Sequence, residues 1–151
     1  MSNNTILAKE ESVVLKHDFM YSIVYFFIKS EFILTSKRIV CNVPNLLLFI
    51  PSGKNNVTYP LNNIAGVRLD SKVSVKSLLV GIIITLIGLS TLRSLFLLFI
   101  IGALIILSSF ETIMVIENNS GSSMAYPVSP FEKGKAQDFI NQVNTTLADR
   151  I

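Results

Sequence analysis

From residue 77 to residue 110 apolar side chains follow one another almost without a break, and Arg93 is the only charge between Lys76 and Glu111. As a single helix the segment would measure roughly 50 Å at ~1.5 Å per residue, well beyond the ~30 Å of a bilayer's hydrocarbon core. Divided at Arg93 it gives residues 77–92 and 94–110, each roughly 25 Å long. Such halves fit if the bilayer thins slightly and Arg93 snorkels to the far interface. Residues 89–94 then make a polar tip, with Gly88 placed to end the first helix. The pattern predicts a two-helix transmembrane hairpin over residues 77–110. A single tilted span and a buried core hairpin are the other readings; the second needs more cover than so short a chain supplies.

The flanks carry a different pattern. Residues 12–16, 22–28, 32–35 and 38–43 are rich in Val, Ile, Tyr and Phe and predict strands, with Ser36-Lys37 as a turn. Pro44-Asn45 is expected to break the last of these, and residues 51–56 to form a loop. Further strands are expected at residues 57–59, 64–69, 112–117 and 124–128, the last two joined by a turn at residues 118–122. Ser129, Pro130 and Glu132 form a helix-start signature with a capping box. Ala136, Phe139, Ile140, Val143 and Leu147 then fall on one helical face. Too few elements follow the apolar segment to fold alone, so they are expected to complete the sheet begun before it. That requires both flanks on one side of the bilayer. Arg68, Lys72 and Lys76 ahead of the first helix, against Arg93 alone at the tip, point the same way under the positive-inside rule. The expected location is the cell membrane, crossed twice, with both termini cytoplasmic. Gly81, Gly88 and Gly102 with Ala103 would let the helices approach closely.

Composition sharpens this. Charged residues make up 15% of the chain, against about 25% in an ordinary soluble domain, so apolar content is concentrated in one region. The net charge of +3 without a basic, aromatic-interleaved stripe excludes a nucleic-acid partner. One cysteine, Cys41, allows no internal disulfide and reads as a buried structural residue. The single histidine, His17, has no ligand partner at metal-site spacing and reads as a strand-end or surface residue. The polar first residues do not match a cleavable signal peptide.

Residues 32–40 (FILTSKRIV) followed by residues 59–67 (YPLNNIAGV) resemble the core of bacterial PH-like domains, with their "LTxxRI" strand turn and "PLxxIxxV" strand. Residues 127–139 (PVSPFEKGKAQDF) resemble the tail of small bacterial proteins in which a membrane hairpin interrupts a PH-like domain. The resemblance covers roughly residues 11 to 149 and rests on turn and core positions. It implies an α+β fold: one PH-like domain over residues 1–151, a strongly bent antiparallel sheet (strands within 11–70 and 111–128) with a C-terminal helix (130–149), split by the transmembrane hairpin. The region equivalent to the inositol-phosphate site of eukaryotic PH domains offers Lys16 and Lys29 only, without a Lys-x-Arg cluster.

No common catalytic arrangement is visible: one His and one Cys leave little for triads, and Glu10-Glu11 reads as a solvated strand lead-in. No enzyme activity, cofactor or metal is expected. Two features are candidate membrane-interface contacts. Leu46, Leu47, Leu48 and Phe49 sit where a polar connection would be expected, either dipping into the interface or plugging the core. Arg68, Lys72 and Lys76, with Arg93 at the tip, could meet anionic headgroups. The expected function is a membrane-anchored, non-enzymatic interaction module on the cytoplasmic face, with the lipid bilayer and a homo-oligomer or membrane protein as partners. The alternative is a small hairpin pore, transport-accessory or immunity-type protein, with Thr85, Ser90, Thr91 and Arg93 lining a path.

Overall fold

The structure, a computed structural model, describes residues 8–47, 50–90 and 96–149. Four strands, β1 (Val13–Met20), β2 (Lys29–Thr35), β3 (Arg38–Leu47) and β4 (Ile50–Pro60), form an antiparallel meander in the order β1-β2-β3-β4. A 3-10 turn over Leu61–Asn63 leads into β5 (Ile64–Val73), which pairs with β6 (Phe110–Asn118) and through it with β7 (Ser123–Val128) in a second antiparallel sheet. Between β5 and β6 the chain makes two helices, α1 (Val75–Ser90) and α2 (Phe96–Ser108). It closes with a 3-10 turn over Pro130–Glu132 and helix α3 (Lys133–Ala148).

The two sheets and α3 share one core. Phe32, Leu34, Ile39 and Cys41 come from the first sheet, Val67, Met114, Ile116, Tyr126 and Val128 from the second. The apolar stripe of α3 meets them: Ala136, Phe139, Ile140 and Val143 are buried and Leu147 is half-buried, as the 3.6-residue period predicts. Phe19, Phe32, Tyr126 and Phe139 pack at centroid distances of 5.7–6.2 Å, Phe19 tilted against Phe32 and the other pairs edge to face, the geometry aromatic quadrupoles favour. Cys41 lies among them, and burial pushes its thiol up to about 12.

The α+β class stands, with corrections. The strands make two sheets rather than one bent sheet. No helix among the described residues is long and apolar enough to cross a membrane. At ~1.5 Å per residue, the 16 residues of α1 reach about 24 Å and the 13 of α2 about 20 Å, against ~30 Å of hydrocarbon. That overturns the transmembrane hairpin, and with it the two-pass placement in the cell membrane with cytoplasmic termini, which rested on the crossing. The apolar run was counted to Phe110, but the chain has already turned into strand there.

Local expectations shift too. Residues 22–28 are turns, whereas β1 runs on to Met20, leaving His17 mid-strand against Phe19 and Phe139. Pro44 does not end β3: the register slips between Pro44 and Leu46, a bulge that absorbs the missing donor, and β4 takes up residues 51–56. Ser129 makes no side-chain cap, and its Oγ is buried without a partner among the described residues. Glu132 does not reach back to Ser129; its carboxylate accepts the Met20 N–H at 2.5 Å, while Met20 O accepts the Ser129 N–H at 2.7 Å. Together these bonds pin the end of β1 to the start of the terminal helix.

Candidate docking arm and the cleft at its root

The pair α1 and α2 forms an arm inserted between two neighbouring strands. Val73 and Phe110 are register partners, and the Ser74 N–H donates to Ser109 O at 2.9 Å, so the chain leaves and re-enters the sheet at one point. Glycines set the packing within the arm. A Cβ at Gly88 would collide with the backbone of Phe99, and one at Gly102 with the backbone and hydroxyl of Thr85. The small residues that invited a helix–helix contact are thus consumed inside the hairpin.

The faces turned away from this contact are aliphatic. Leu79, Val80, Ile83, Leu86, Ile87 and Leu89 on α1, and Phe96, Leu97, Ile101, Leu104 and Leu107 on α2, are each 43–73% exposed. Polar side chains do not interrupt them chemically. Thr85 Oγ1 donates to Gly81 O at 2.7 Å, Ser90 Oγ to Ile87 O at 2.8 Å and Ser108 Oγ to Ile105 O at 2.9 Å, so each hydroxyl donor is spent on its own helix. Of the residues expected to line a path, Thr85 therefore faces the neighbouring helix, and Thr91 and Arg93 lie outside the described residues.

A cleft of about 440 Å³ opens at the root of the arm. Tyr21, Ser22, Ile23 and Tyr25, from the turns after β1, form one side; Ser77, Ser108, Phe110 and Glu111 contribute another. The Tyr21 and Tyr25 rings stand 6.3 Å apart at 77° to each other, and Tyr25 meets Phe27 at 6.4 Å. Burial, followed by the charge of Glu111, raises the Tyr21 phenol above its ordinary value. Phe26 and Phe27 beside it are 63% and 62% exposed. A shallower hollow of about 410 Å³ lies at the other end of β5, between Gly66, Arg68, Glu117 and the end of α3.

The sequence-predicted contacts are scattered. Arg68 pairs within its own sheet, Nη1 at 2.7 Å from Glu117 and Nε at 3.2 Å from Asp70. It sits four positions, about 13 Å of strand, from Lys72, which lies opposite Glu111 near the arm. Lys76 is in the first turn of α1. Leu46 and Leu47 end β3 at the tip of its hairpin with β4, far along the chain from the arm, while Leu48, Phe49 and Arg93 lie outside the described residues. The cleft escaped the sequence reading because Tyr25 sits in a run read as a strand, Tyr21 lies just ahead of it, and Glu111 was only the border of the apolar segment. The i,i+4 tyrosines are the one signal that could have marked it. No protein family, curated protein or solved structure matches this chain.

Proposed function

We propose that this chain is a non-enzymatic interaction module, a β-domain that holds an apolar helical arm out to a partner, and that the partner is a second copy of the chain. The observation that carries this reading is the arm's outer surface, where large aliphatic side chains from both helices stay exposed. A contiguous apolar patch of this kind marks an interaction surface, and each half-exposed side chain that becomes covered contributes about 1 kcal/mol. A second arm has the right chemistry, because it too asks for no hydrogen-bond partner, and two copies can bury the same face reciprocally. The groups best suited to chemistry are committed elsewhere. Cys41 is fully buried with its thiol held far above neutral, and Tyr59 and Tyr126 join hydroxyls in the core at 2.7 Å.

Sedimentation equilibrium on the full chain tests this. The native protein is expected to sediment as a dimer or larger species. A triple variant, Ile83→Gln, Leu86→Gln and Leu104→Gln, is expected to sediment as a monomer with unchanged β-sheet circular dichroism. A native chain that stays monomeric across the concentration range, or that associates equally well with the three substitutions, removes the arm from the docking role.

A further inference from the structure

We propose that the cleft at the root of the arm binds a methylated organic ammonium group, with the Tyr21 and Tyr25 rings as walls and the Glu111 carboxylate as counter-charge. The Tyr21 and Tyr25 rings stand close to perpendicular, 77° apart with centroids at 6.3 Å, and both residues line the cleft, so a cation seated there meets two aromatic rings. The negative face of each ring attracts it, by about 0.5–2 kcal/mol according to how far the site is dried. A carboxylate at the same cleft supplies the charge that rings alone lack, and Glu111 lines it with the tyrosines. The rest of the lining is mixed: Ile23, Phe110 and Ile113 are apolar, while the hydroxyls of Ser22, Ser77 and Ser108 are already bonded to the Tyr25 N–H, Ser74 Oγ and Ile105 O. Methylation matters because a bare ammonium is strongly hydrated and loses more on leaving water than a methylated one.

A competing cation is Lys72, the register partner of Glu111 on β5. No ion pair joins them among the described residues, whose ion pairs of β5 run from Arg68 to Asp70 and Glu117. Lys72 would still oppose a bound cation, so its removal should tighten binding. The same ammonium chemistry could arrive as a free small cation or as the headgroup of a lipid.

The chain has four tyrosines and no tryptophan, so its intrinsic fluorescence comes from tyrosine alone. Tyr59 and Tyr126 are buried in the core, which leaves Tyr21 and Tyr25 to report on the cleft. The full chain is titrated with tetramethylammonium chloride and, separately, with phosphocholine-headed micelles, against sodium chloride at equal ionic strength. Saturable quenching is expected, weakened about tenfold by Glu111→Gln and by Tyr25→Leu, retained in Tyr25→Phe and strengthened by Lys72→Gln. Response to the free cation identifies a small-molecule source. Response to micelles alone, equally sensitive to Glu111→Gln, identifies a headgroup. Should Tyr25→Leu fail to fold, Glu111→Gln and Tyr25→Phe carry the comparison. Absence of saturation with both probes, or affinities that Glu111→Gln leaves unchanged, overturns the site.

Discussion

Glu11 stands in a polar stretch that reads as a solvated lead-in, yet its side chain is wholly buried. One carboxylate oxygen accepts the Thr35 hydroxyl at 2.6 Å and Arg38 Nε at 2.8 Å; the other accepts Arg38 Nη2 at 3.0 Å and the Ala8 N–H at 2.6 Å. Arg38, then the Ala8 amide and the Thr35 hydroxyl, lower its pKa from 4.5 to about 2, against the opposing effect of burial. The native state therefore favours the carboxylate. Its stabilisation is complete above the unfolded value of 4.5, fades as pH falls and is gone below about 2. Glu11→Gln should cost roughly 1–3 kcal/mol at neutral pH, and the cost should shrink as pH falls toward 2. Urea denaturation of both proteins from pH 7 to pH 2.5 measures it, and a pH-independent difference would remove the charge from the explanation. Sequence reading missed this cluster because its side-chain partners, Thr35 and Arg38, lie 24 and 27 residues from Glu11 and reach it only through the β1–β2–β3 register. A buried carboxylate has no local signature; its partners do not repeat at any period.

At the scale of elements, what could be read was whatever repeats. The stripe of α3 is visible because burial recurs every three or four residues, and β5 and β6 because their branched side chains cluster. The fastening between α3 and β5 is not visible in that way. Asn144 lies on the helix beside Val67 of the edge strand, accepts the Val67 N–H at 3.1 Å and donates to Val67 O at 2.9 Å. One amide thus takes the place of the next strand, satisfying both backbone groups of an otherwise open edge. Asn144→Ala is expected to lose about 1–3 kcal/mol, because it strands a partly buried donor and acceptor together. Hydrogen exchange gives a sharper readout: the Val67 amide should exchange faster, with amides of the β2–β3 pairing unchanged. Equal acceleration in both sheets would mean general loosening instead. The same limit explains β3 and β4. Pro44 and the polar residues 51–56 look like chain breakers one residue at a time, but a bulge and ten residues of partner strand outweigh them.

For the molecule as a whole, hydropathy located the arm but misjudged its reach. A window of apolar residues measures composition, whereas crossing depends on unbroken helix, and here strand geometry claims the chain up to Val73 and again from Phe110. What remains is an insertion that lies outside the core of the β-domain. Its buried core draws on both sheets, the Leu61 turn and α3, and among the described residues includes none of α1 or α2. The ends of the insertion already stand in hairpin register, with Ser74 N–H bonded to Ser109 O. A two-residue Asn-Gly turn in place of residues 75–108 should therefore close β5 onto β6 as an ordinary hairpin. The shortened chain is expected to unfold cooperatively, with Tm within about 5 °C of the full protein, the shift that roughly 1 kcal/mol gives in a domain of this size. It should also be monomeric where the full chain associates. Calorimetry and sedimentation on the two proteins separate the roles. A broad, non-cooperative transition would make the arm part of the folding unit. A sharp transition with association intact would leave it an appendage without the docking function its surface suggests.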